Sequence, residues 1–395
     1  GVDAPAVFAR GGPTPRDVDQ GALGDCWLLS SMCVLAHFPE LVRRVVLTTE
    51  SRAGAYAVRL CLAGDWRVVL VDDRLPRRAD GRAAFCGVGP AGALWPALLE
   101  KAVAKLHGGY AALDQGAAAE ALGLLTGLPT ETIEDVHACR ASAPRLAALY
   151  DRLARAHAAG FVISASCGHC GLGDTPEAEA RLYDRVGLLP AHEHRRAGRT
   201  STRGPPRKEC GSARPIARST NVAREQRARD RRYAVLRVAA LPDGSRLLQL
   251  RNPWARGEWR GPWSRHAPEW ARVAPAVRLG LNDGCLDRDD GVFWIAPADF
   301  AKFFHAVTVC RLRRNFPQLR WPVHAPSRLD ADTAAFSVVA AADGAATLLD
   351  AALLQRTGRG ATPRGHHVMG DAMLLVFEAP PGAAAGGASV PPEAV

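Results

Sequence analysis

The sequence lacks two features that would direct it to a membrane or a secretory route. A membrane-spanning helix needs about 18–20 consecutive apolar residues, and no run in the 395 residues approaches that length. The first residues, GVDAPAVFARGGPTPRD, contain no basic region followed by an apolar one, so no secretion signal is visible. The chain begins with Gly rather than Met, which leaves open a fragment that has lost a leader.

Cysteine pairs and metal-binding clusters are also scarce. The ten cysteines mostly stand alone in apolar runs, as Cys33, Cys61 and Cys310 do. That pattern is typical of reduced, buried thiols rather than of a disulfide framework, and it predicts a cytoplasmic protein. The one CxxC, Cys167 to Cys170, has no second CxxC or HxxxH to complete a zinc site. We interpret it as a core or cleft loop, with a metal or redox pair as the alternative.

The positive charge is concentrated in one segment instead of being spread over the chain. Residues 193–232 contain thirteen basic and four acidic residues, and therefore nine of the ten net positive charges. The segment has few large apolar residues and no hydrophobic periodicity, which predicts a disordered insert. It also has no aromatic residue on which bases could stack. We therefore expect neither nucleic acid nor an acidic membrane as a partner.

The remaining sequence predicts a folded protein with both helices and strands. Hydrophobic residues make up 48% of the chain, and its length predicts two or three units at about 100–200 residues each. Apolar spacing and turn signals predict helices at 26–38, 94–108, 145–159 and in the second half of FWIAPADFAKFF. They predict strands in YAVRLCL, WRVVLVDDRLP, FVISAS and the start of FWIAPADFAKFF, and a hairpin of YAVLRVAAL and RLLQLRNPW around PDGS.

One segment carries the features of a cysteine nucleophile. In Gln20-Gly-Ala-Leu-Gly-Asp-Cys26-Trp27, a Gly-Asp turn brings a cysteine to the first position of an apolar helix. The positive end of the helix dipole favours a thiolate there, and a thiolate is the nucleophile for acyl transfer. The Gln20 side chain can point an N–H toward the same place as the Cys26 backbone N–H, which would form an oxyanion hole. An ordinary buried core cysteine is the alternative interpretation.

Two further segments supply a base and a residue to orient it. The first ends in Gly187-Leu-Leu-Pro-Ala-His192, and the second is Leu250-Arg-Asn252-Pro-Trp254. A cysteine nucleophile needs a base within hydrogen-bonding distance, and that base needs an orienting partner. Asn252 can accept from one imidazole nitrogen, and Trp254 could shield that bond from water. An ordinary turn residue before proline is the alternative for Asn252.

These segments, with several others, resemble the calpain family of cysteine proteases. The resemblance is carried by QGALGDCW, WRVVLVDDRLP, LWPALLEKAVAKLHGGY, LLQLRNPW with the following EW and GPWS, and DDGVFW with the following DF. They occur in the family's order over roughly residues 10–315. The resemblance implies that Cys26, His192 and Asn252 form the catalytic triad and that Gln20 contributes to the oxyanion hole. It implies a calcium-dependent endopeptidase that performs limited proteolysis of protein substrates.

The resemblance also implies a fold and a domain organisation. We expect an α+β, papain-like core of two lobes, in which residues 1–155 carry Cys26 and residues 156–315 carry His192, Asn252 and the insert. Residues 316–395 are expected to form a partial β-sandwich-like region and a flexible tail.

The base is the triad residue for which the sequence offers alternative candidates. The family pattern runs from the histidine directly into a strand, whereas residues 193–232 separate His192 from Tyr233 here. Deleting them joins GLLPAH to YAVLRV, so the segment resembles a translated intron or a lineage-specific loop. His194 and His169 are the alternatives to His192. The interruption also leaves open a second function, a catalytically impaired calpain-like binding or regulatory protein.

Calcium is the metal that the resemblance implies, with one ion in each lobe. Asp17 and Glu120 match the family's ligands in the first lobe, with backbone oxygens near Arg10 and Gly12. Glu258 and Asp290 match in the second, but two further positions there depart from the pattern, with Arg265 in place of an Asp and Val292 in place of a Glu. Because calcium prefers several oxygen ligands, we expect one plausible site and one weakened site. No EF-hand loop is present.

Overall fold

The computed structural model describes residues 6–89, 91–168, 170–188, 231–253, 258–282 and 291–312. The helices are α1 (Cys26–Leu35), α2 (Pro39–Val45), α3 (Trp95–Leu106), α4 (Ala118–Thr126), α5 (Ala143–Ala158), α6 (Pro176–Arg185), α7 (Pro275–Leu281) and α8 (Pro297–Phe303). The strands are β1 (Ala55–Leu62), β2 (Asp65–Asp72), β3 (Thr130–Ile133), β4 (Val162–Cys167), β5 (Arg231–Ala240), β6 (Arg246–Arg251), β7 (Val292–Ile295) and β8 (Phe304–Cys310). Helices and strands are therefore mixed, as the predicted α+β class requires. No helix in the described residues combines the length and the apolar character needed to cross a membrane.

The central helix of the first half is α1, and all of its residues are buried. A helix that is apolar on every side is stable only when other elements surround it. Around α1 lie α2, α3 and α4 on one side and the strands β4 and β5 on the other. The antiparallel hairpin of β1 and β2 packs against α3 and α4. The first residue of α1 is thus fixed in a rigid setting.

The second half is built on an antiparallel sheet with the order β3-β8-β4-β5-β6-β7. Alternate residues of a strand point to opposite faces of a sheet, and β4 is buried on both faces. Val162 belongs to the hydrophobic cluster that contains α1, whereas Ile163 and Ala165 belong to the cluster on the other face. The sheet therefore lies between α1 on one face and α5 with α8 on the other.

The two main hydrophobic clusters take their residues largely from different parts of the chain. Up to Leu128 the buried cluster residues belong to the cluster around α1, and from Val136 onward the residues of these two clusters belong to the second, with Val162, Ala234, Cys310 and Leu312 as the exceptions. Leu149 and Leu153 of α5, which the sequence analysis grouped with residues 1–155, pack in the second cluster. The packing therefore changes from one cluster to the other before α5.

The helices and strands predicted in the described residues are confirmed, but the structure contains further elements that the sequence did not predict. The structure has α1, α3, α5, β1, β2, β4, β7, α8 and the β5–β6 hairpin where the sequence predicted them. Six elements were not predicted, namely α2, α4, α6, α7, β3 and β8. The prediction that residues 193–232 are disordered is wrong for Arg231 and Arg232, which pair with Cys167 and Ser166 in the sheet. The rest of that segment and residues 316–395 lie outside the described residues.

Candidate active site

Cys26 is the first residue of α1 and retains 7% of its side-chain exposure. The helix behind it is ten residues long, so the partial positive charge of its N-terminus acts on this position. The backbone carbonyl of Asp25 accepts from the N–H groups of Leu28 and Leu29 at 2.9 and 3.1 Å, which starts the helix. The indole N–H of Trp27 donates to the carbonyl of Leu113 at 2.9 Å and fixes this first turn.

The motif before Cys26 approaches neighbouring backbone closely. A Cβ on Gly21 would lie 2.2 Å from the carbonyl oxygen of Phe85, so only glycine fits there. Ala22 then donates its N–H to the carbonyl of Ala84 at 3.2 Å. These contacts pin the loop that carries Gln20 to the segment before α3.

Gln20 lies beside the start of α1, as predicted, but its amide is engaged. Nε2 donates to the carbonyl of Leu23 at 2.8 Å and to Oδ1 of Asp25 at 3.3 Å. A primary amide has two N–H donors, so both are directed within the motif. Oε1 is buried and receives no donor among the described residues. An oxyanion role for Gln20 therefore requires that the longer bond, to Asp25, opens when substrate arrives.

Asp25 has a second acidic neighbour that the sequence did not predict. Its side chain is fully buried and makes no cap bond to α1. It lies beside the carboxyl group of Glu100, on α3, close enough for each group to act on the pKa of the other. Burial and the charge of Glu100 hold the pKa of Asp25 well above its ordinary value. A buried acid pair thus stands directly behind Cys26.

Asn252 follows the last residue of β6 and is completely buried. Its backbone N–H donates to the carbonyl of Gly291 at 2.9 Å. The preceding residue, Arg251, reaches across to the other half of the fold. Its Nη1 donates to Sγ of Cys33 at 2.9 Å, and its Nη2 donates to the carbonyl of Val18 at 3.4 Å. The structure therefore ties the end of β6 to both α1 and the loop that carries Gln20.

His192, His194 and His169 all lie outside the described residues, as does Trp254. The chain that leads toward His192 is described as far as Leu188, which is fully buried. Just before it, Gly187 has φ +77°, and a Cβ there would lie 1.9 Å from the carbonyl oxygen of Glu258. Val186 accepts from the N–H of Arg260 at 2.9 Å. These contacts anchor the segment five residues before His192.

The first pair of predicted calcium ligands fits a metal only in part. Oδ2 of Asp17 accepts from the backbone N–H of Thr14 and from the indole N–H of Trp95, both at 2.8 Å. Oδ1 accepts from the Thr14 hydroxyl at 3.2 Å, which leaves one lone pair on Oδ1 for another ligand. Glu120 lies half-buried in the first turn of α4. Among the described residues, no three acidic, histidine or cysteine side chains form a metal-binding group.

The second pair does not fit a metal. Arg265 forms a partly buried salt bridge with Glu258 through its Nη2. The arginine therefore stands where the family resemblance implies an acid, and it takes the carboxylate that a cation would need. Val292, at the other departing position, lies at the start of β7. Asp290 lies outside the described residues.

The CxxC gives no sign of a metal or redox site in the described part of the chain. Cys167 ends β4 and Cys170 follows in a loop, and both thiols are buried and form no disulfide. Cys170 Sγ lies 3.5 Å from the carbonyl of Gly168. Burial raises the pKa of the nearby Tyr183 hydroxyl, which donates to the carbonyl of Phe303 at 3.0 Å. The pair belongs to the packed interior, as the loop interpretation predicted.

Sequence reasoning missed three residues that shape this site: Glu100, Arg251 and Arg265 as the partner of Glu258. A signal for Glu100 was present, since it is an acid on a helix whose neighbours Leu98 and Leu99 are buried. For Arg251 the signal was a charged residue at the end of an apolar strand. Neither signal names a partner, because each partner lies far away in sequence.

Comparison with known proteins identifies the family. The family described as "Calpain family cysteine protease" matches residues 2–311. The maize protein "Calpain-type cysteine protease DEK1" is 31% identical over 322 residues, which cover 81% of this chain and 12% of the maize protein. Human "Calpain-9" is 32% identical over 309 residues, 77% of this chain and 37% of the human protein. Mouse "Calpain-2 catalytic subunit" is 30% identical over 315 residues, 79% and 38% of the two chains.

The chain thus spans between 12% and 38% of the length of these relatives. The matched residues include the motif of Gln20 and Cys26, the segment of Asn252 and nearly all of the described structure. The chain belongs to the calpain family of cysteine proteases.

Proposed function

We propose that this chain is a calcium-dependent cysteine endopeptidase that cleaves exposed, extended segments of proteins at limited sites. The observation that carries the proposal is the position of Cys26 at the first turn of a buried helix, beside Gln20. The segment of Asn252 is held to the same helix through Arg251. Family membership supports protein substrates, and we expect no nucleic-acid partner.

The proposed mechanism is acyl transfer by a Cys-His-Asn triad. The Cys26 thiolate attacks the substrate carbonyl carbon, and the resulting oxyanion accepts from the Cys26 N–H and from Gln20 after its bond to Asp25 opens. Protonated His192, oriented by Asn252, gives its proton to the leaving amine. Water then attacks the thioester, gives a proton to His192 and releases the acid and the thiolate.

The proposed architecture is a papain-like core of two lobes with the site between them. Support comes from the change of hydrophobic cluster between Leu128 and Val136. The Arg251 contacts to Cys33 and Val18 cross from one cluster to the other. In this arrangement the first lobe supplies the nucleophile, and the second supplies the base and its orienter.

Calcium is proposed to bind in the first lobe only. Asp17 Oδ1 and Glu120 would hold it together with backbone carbonyl oxygens near Arg10 and Gly12, and the ion would fix the N-terminal loop rather than take part in bond cleavage. The second lobe carries the Arg265–Glu258 salt bridge in place of an ion.

A reducing location, the cytoplasm, is proposed from the thiols. None of the eight cysteines in the described residues is part of a disulfide. Disulfides are rare in the cytosol because thiols are kept reduced there. A disulfide in the protein isolated under non-reducing conditions would contradict this assignment.

Two measurements test the activity. The first is the labelling rate of Cys26 by a peptide-based thiol-directed probe, and the second is cleavage of casein by the wild type and by Cys26→Ala. We expect Cys26 to be labelled far faster than the other nine cysteines and Cys26→Ala to be inactive. Labelling at the rate of an ordinary thiol would instead support the binding protein, and cleavage by Cys26→Ala would exclude the mechanism. The matched control is Cys139→Ala, a partly buried thiol away from the site.

A further inference from the structure

The buried acid pair behind Cys26 must hold a proton. Asp25 and Glu100 are 0% and 1% exposed, and their carboxyl groups lie close enough to act on each other's pKa. A carboxylate offers only acceptors, so neighbouring carboxyl groups can hydrogen-bond to each other only when one of them is protonated. Two ionised carboxylates in this interior would also repel each other strongly.

The surrounding contacts indicate which residue is protonated. Burial raises the pKa of Glu100, but both of its carboxyl oxygens lie 3.1 Å from the backbone nitrogen of Cys86, whose N–H donates to them and acts against that rise. Asp25 accepts one bond at Oδ1, from Gln20, and its Oδ2 is buried with no donor among the described residues. A proton on the Asp25 carboxyl removes this deficit. The pKa of Asp25 is raised, by burial first and by Glu100 second.

The groups that act on the pair are themselves acids or thiols. The charge of Cys26 raises the pKa of Asp25, and the charges of Asp25 and Glu100 raise the pKa values of Cys86 and Tyr110. The charge of Asp19 also raises the pKa of Cys86. Burial raises the pKa values of the Cys86 thiol and the Tyr110 hydroxyl, so both are neutral near pH 7. Cys86 and Tyr110 therefore add no negative charge beside the pair.

We propose that Asp25 and Glu100 share one proton, carried on Asp25, and that this arrangement positions Gln20 while keeping negative charge away from the residue next to Cys26. Asp25 and Glu100 are thus positioning residues that act through Gln20 and Cys26. A charged Asp25 adjacent in sequence would oppose a thiolate on Cys26, whereas a neutral one does not. The inference rests on the proposed role of Cys26 as nucleophile.

Two substitutions that each remove one carboxyl group are expected to have different effects on the reactivity of Cys26. In Asp25→Asn, the amide donates to Glu100 and accepts from Gln20, which reproduces the protonated carboxyl. In Glu100→Gln, the side-chain carbonyl must accept the Cys86 N–H, so its amide donates to Asp25 and drives the negative charge onto residue 25. Both variants keep one negative charge, which lies on Glu100 in Asp25→Asn and on Asp25 in Glu100→Gln. Comparing them therefore tests the position of the charge.

The experiment is the rate of alkylation of Cys26 by iodoacetamide as a function of pH, measured on the Cys26 peptide by mass spectrometry. We expect Asp25→Asn to keep the pH midpoint of the wild type and Glu100→Gln to raise it by about one pH unit, a roughly tenfold slower reaction below the midpoint. Glu50→Gln, which neutralises an exposed carboxylate, is the matched control and should leave the midpoint unchanged. A fall of the midpoint in both pair variants would mean two ionised carboxylates and would overturn the proposal, as would no shift in Glu100→Gln.

A second readout does not depend on the reactivity of Cys26. Carboxyl ¹³C NMR of the wild type at pH 7 should show one protonated buried carboxyl group, and Asp25→Asn should lose that signal. Absence of a protonated carboxyl group overturns the shared proton, even if Glu100→Gln fails to fold. Slow alkylation of Cys26 in the wild type, with the protonated carboxyl present, would instead count against the proposed nucleophile alone.

Discussion

Nη1 of Arg251 lies 2.9 Å from Sγ of Cys33, and this contact joins the last residue of β6 to the middle of the helix that begins at Cys26. Both side chains are completely buried. Burial raises the pKa of the Cys33 thiol although Arg251 acts in the opposite direction, so the guanidinium faces a neutral sulfur. Because Asn252 directly follows Arg251, the position of the proposed orienting residue depends on this contact between the two hydrophobic clusters.

The first prediction concerns Arg251→Met, which keeps the apolar length of the side chain and removes its donors. Loss of the contacts to Cys33 and Val18 should lower the free energy of unfolding by about 2–4 kcal/mol. Displacement of Asn252 should reduce kcat/KM for a peptide substrate at least tenfold. Thermal unfolding and peptide cleavage measure the two effects. Arg246→Met, at the exposed start of β6, is the control and should cost less than about 1 kcal/mol; equal effects of the two variants would refute the role of Arg251.

The second prediction separates the two neighbouring histidines. His192→Ala should reduce kcat/KM by about a thousandfold, since a general base in a triad contributes on the order of 10²–10⁴. His194→Ala is the matched control and should keep most of the activity. Both variants should retain the thermal stability of the wild type. The reverse order of activities would move the role of base to His194.

The third prediction is a pH dependence of stability that comes from Asp25. Its folded-state pKa is raised above the ordinary 3.8, so its stabilising contribution is complete below that value and is lost as the pH rises through the folded-state pKa. Asp25→Asn has no proton to lose. It should therefore be more stable than the wild type at pH 7, by about 1.4 kcal/mol for each unit of the shift, and equal to it near pH 3. Urea unfolding across this range tests the sign, and a constant difference at all pH values would contradict it.

The fourth prediction concerns the number of calcium ions. Isothermal titration of the wild type should give one binding site, and Glu120→Gln should weaken it at least tenfold by removing one of few carboxylates. Glu258→Gln is the counterpart in the second lobe and should leave the calcium affinity unchanged, because Arg265 already neutralises this carboxylate. Two sites in the wild type, or equal losses in both variants, would show that the second lobe binds calcium.

The fifth prediction concerns the segment that leads to His192. Gly187→Ala places a Cβ 1.9 Å from the carbonyl oxygen of Glu258, so the backbone five residues before His192 has to move. We expect a loss of about 2–4 kcal/mol in stability and a larger loss of activity than of substrate binding. Gly244→Ala has a similar φ of +86° but no atom within 4 Å of the new Cβ, so its smaller cost of about 1 kcal/mol measures the backbone strain alone. Indistinguishable variants would exclude the clash as the cause.

Local pattern was sufficient for most elements near the site and insufficient for others. The apolar stretch from Cys26 predicted α1, and the PDGS turn predicted the hairpin that ends at Arg251, since both depend on residues close in sequence. The strand β3 has four residues, too few for a periodic pattern, and it is a strand because it pairs with β8. Arg231 and Arg232 resemble the arginine-rich segment before them, so the sequence grouped them with it, but pairing with β4 makes them part of the sheet.

The sequence by itself determined the family and the residues on which the proposed chemistry depends: a cysteine at the start of an apolar helix, a glutamine six residues earlier, and an Arg-Asn-Pro segment at the end of a strand, in the order of the calpain family. Only the tertiary structure determined which buried or partly buried polar side chains are paired with each other. It paired Asp25 with Glu100, Arg251 with Cys33, and Arg265 with Glu258. The reason is physical, because a charged or polar side chain removed from water takes the partner that packing brings to it, and a pairing such as that of Arg251 with Cys33, 218 residues apart, leaves no local pattern in the chain.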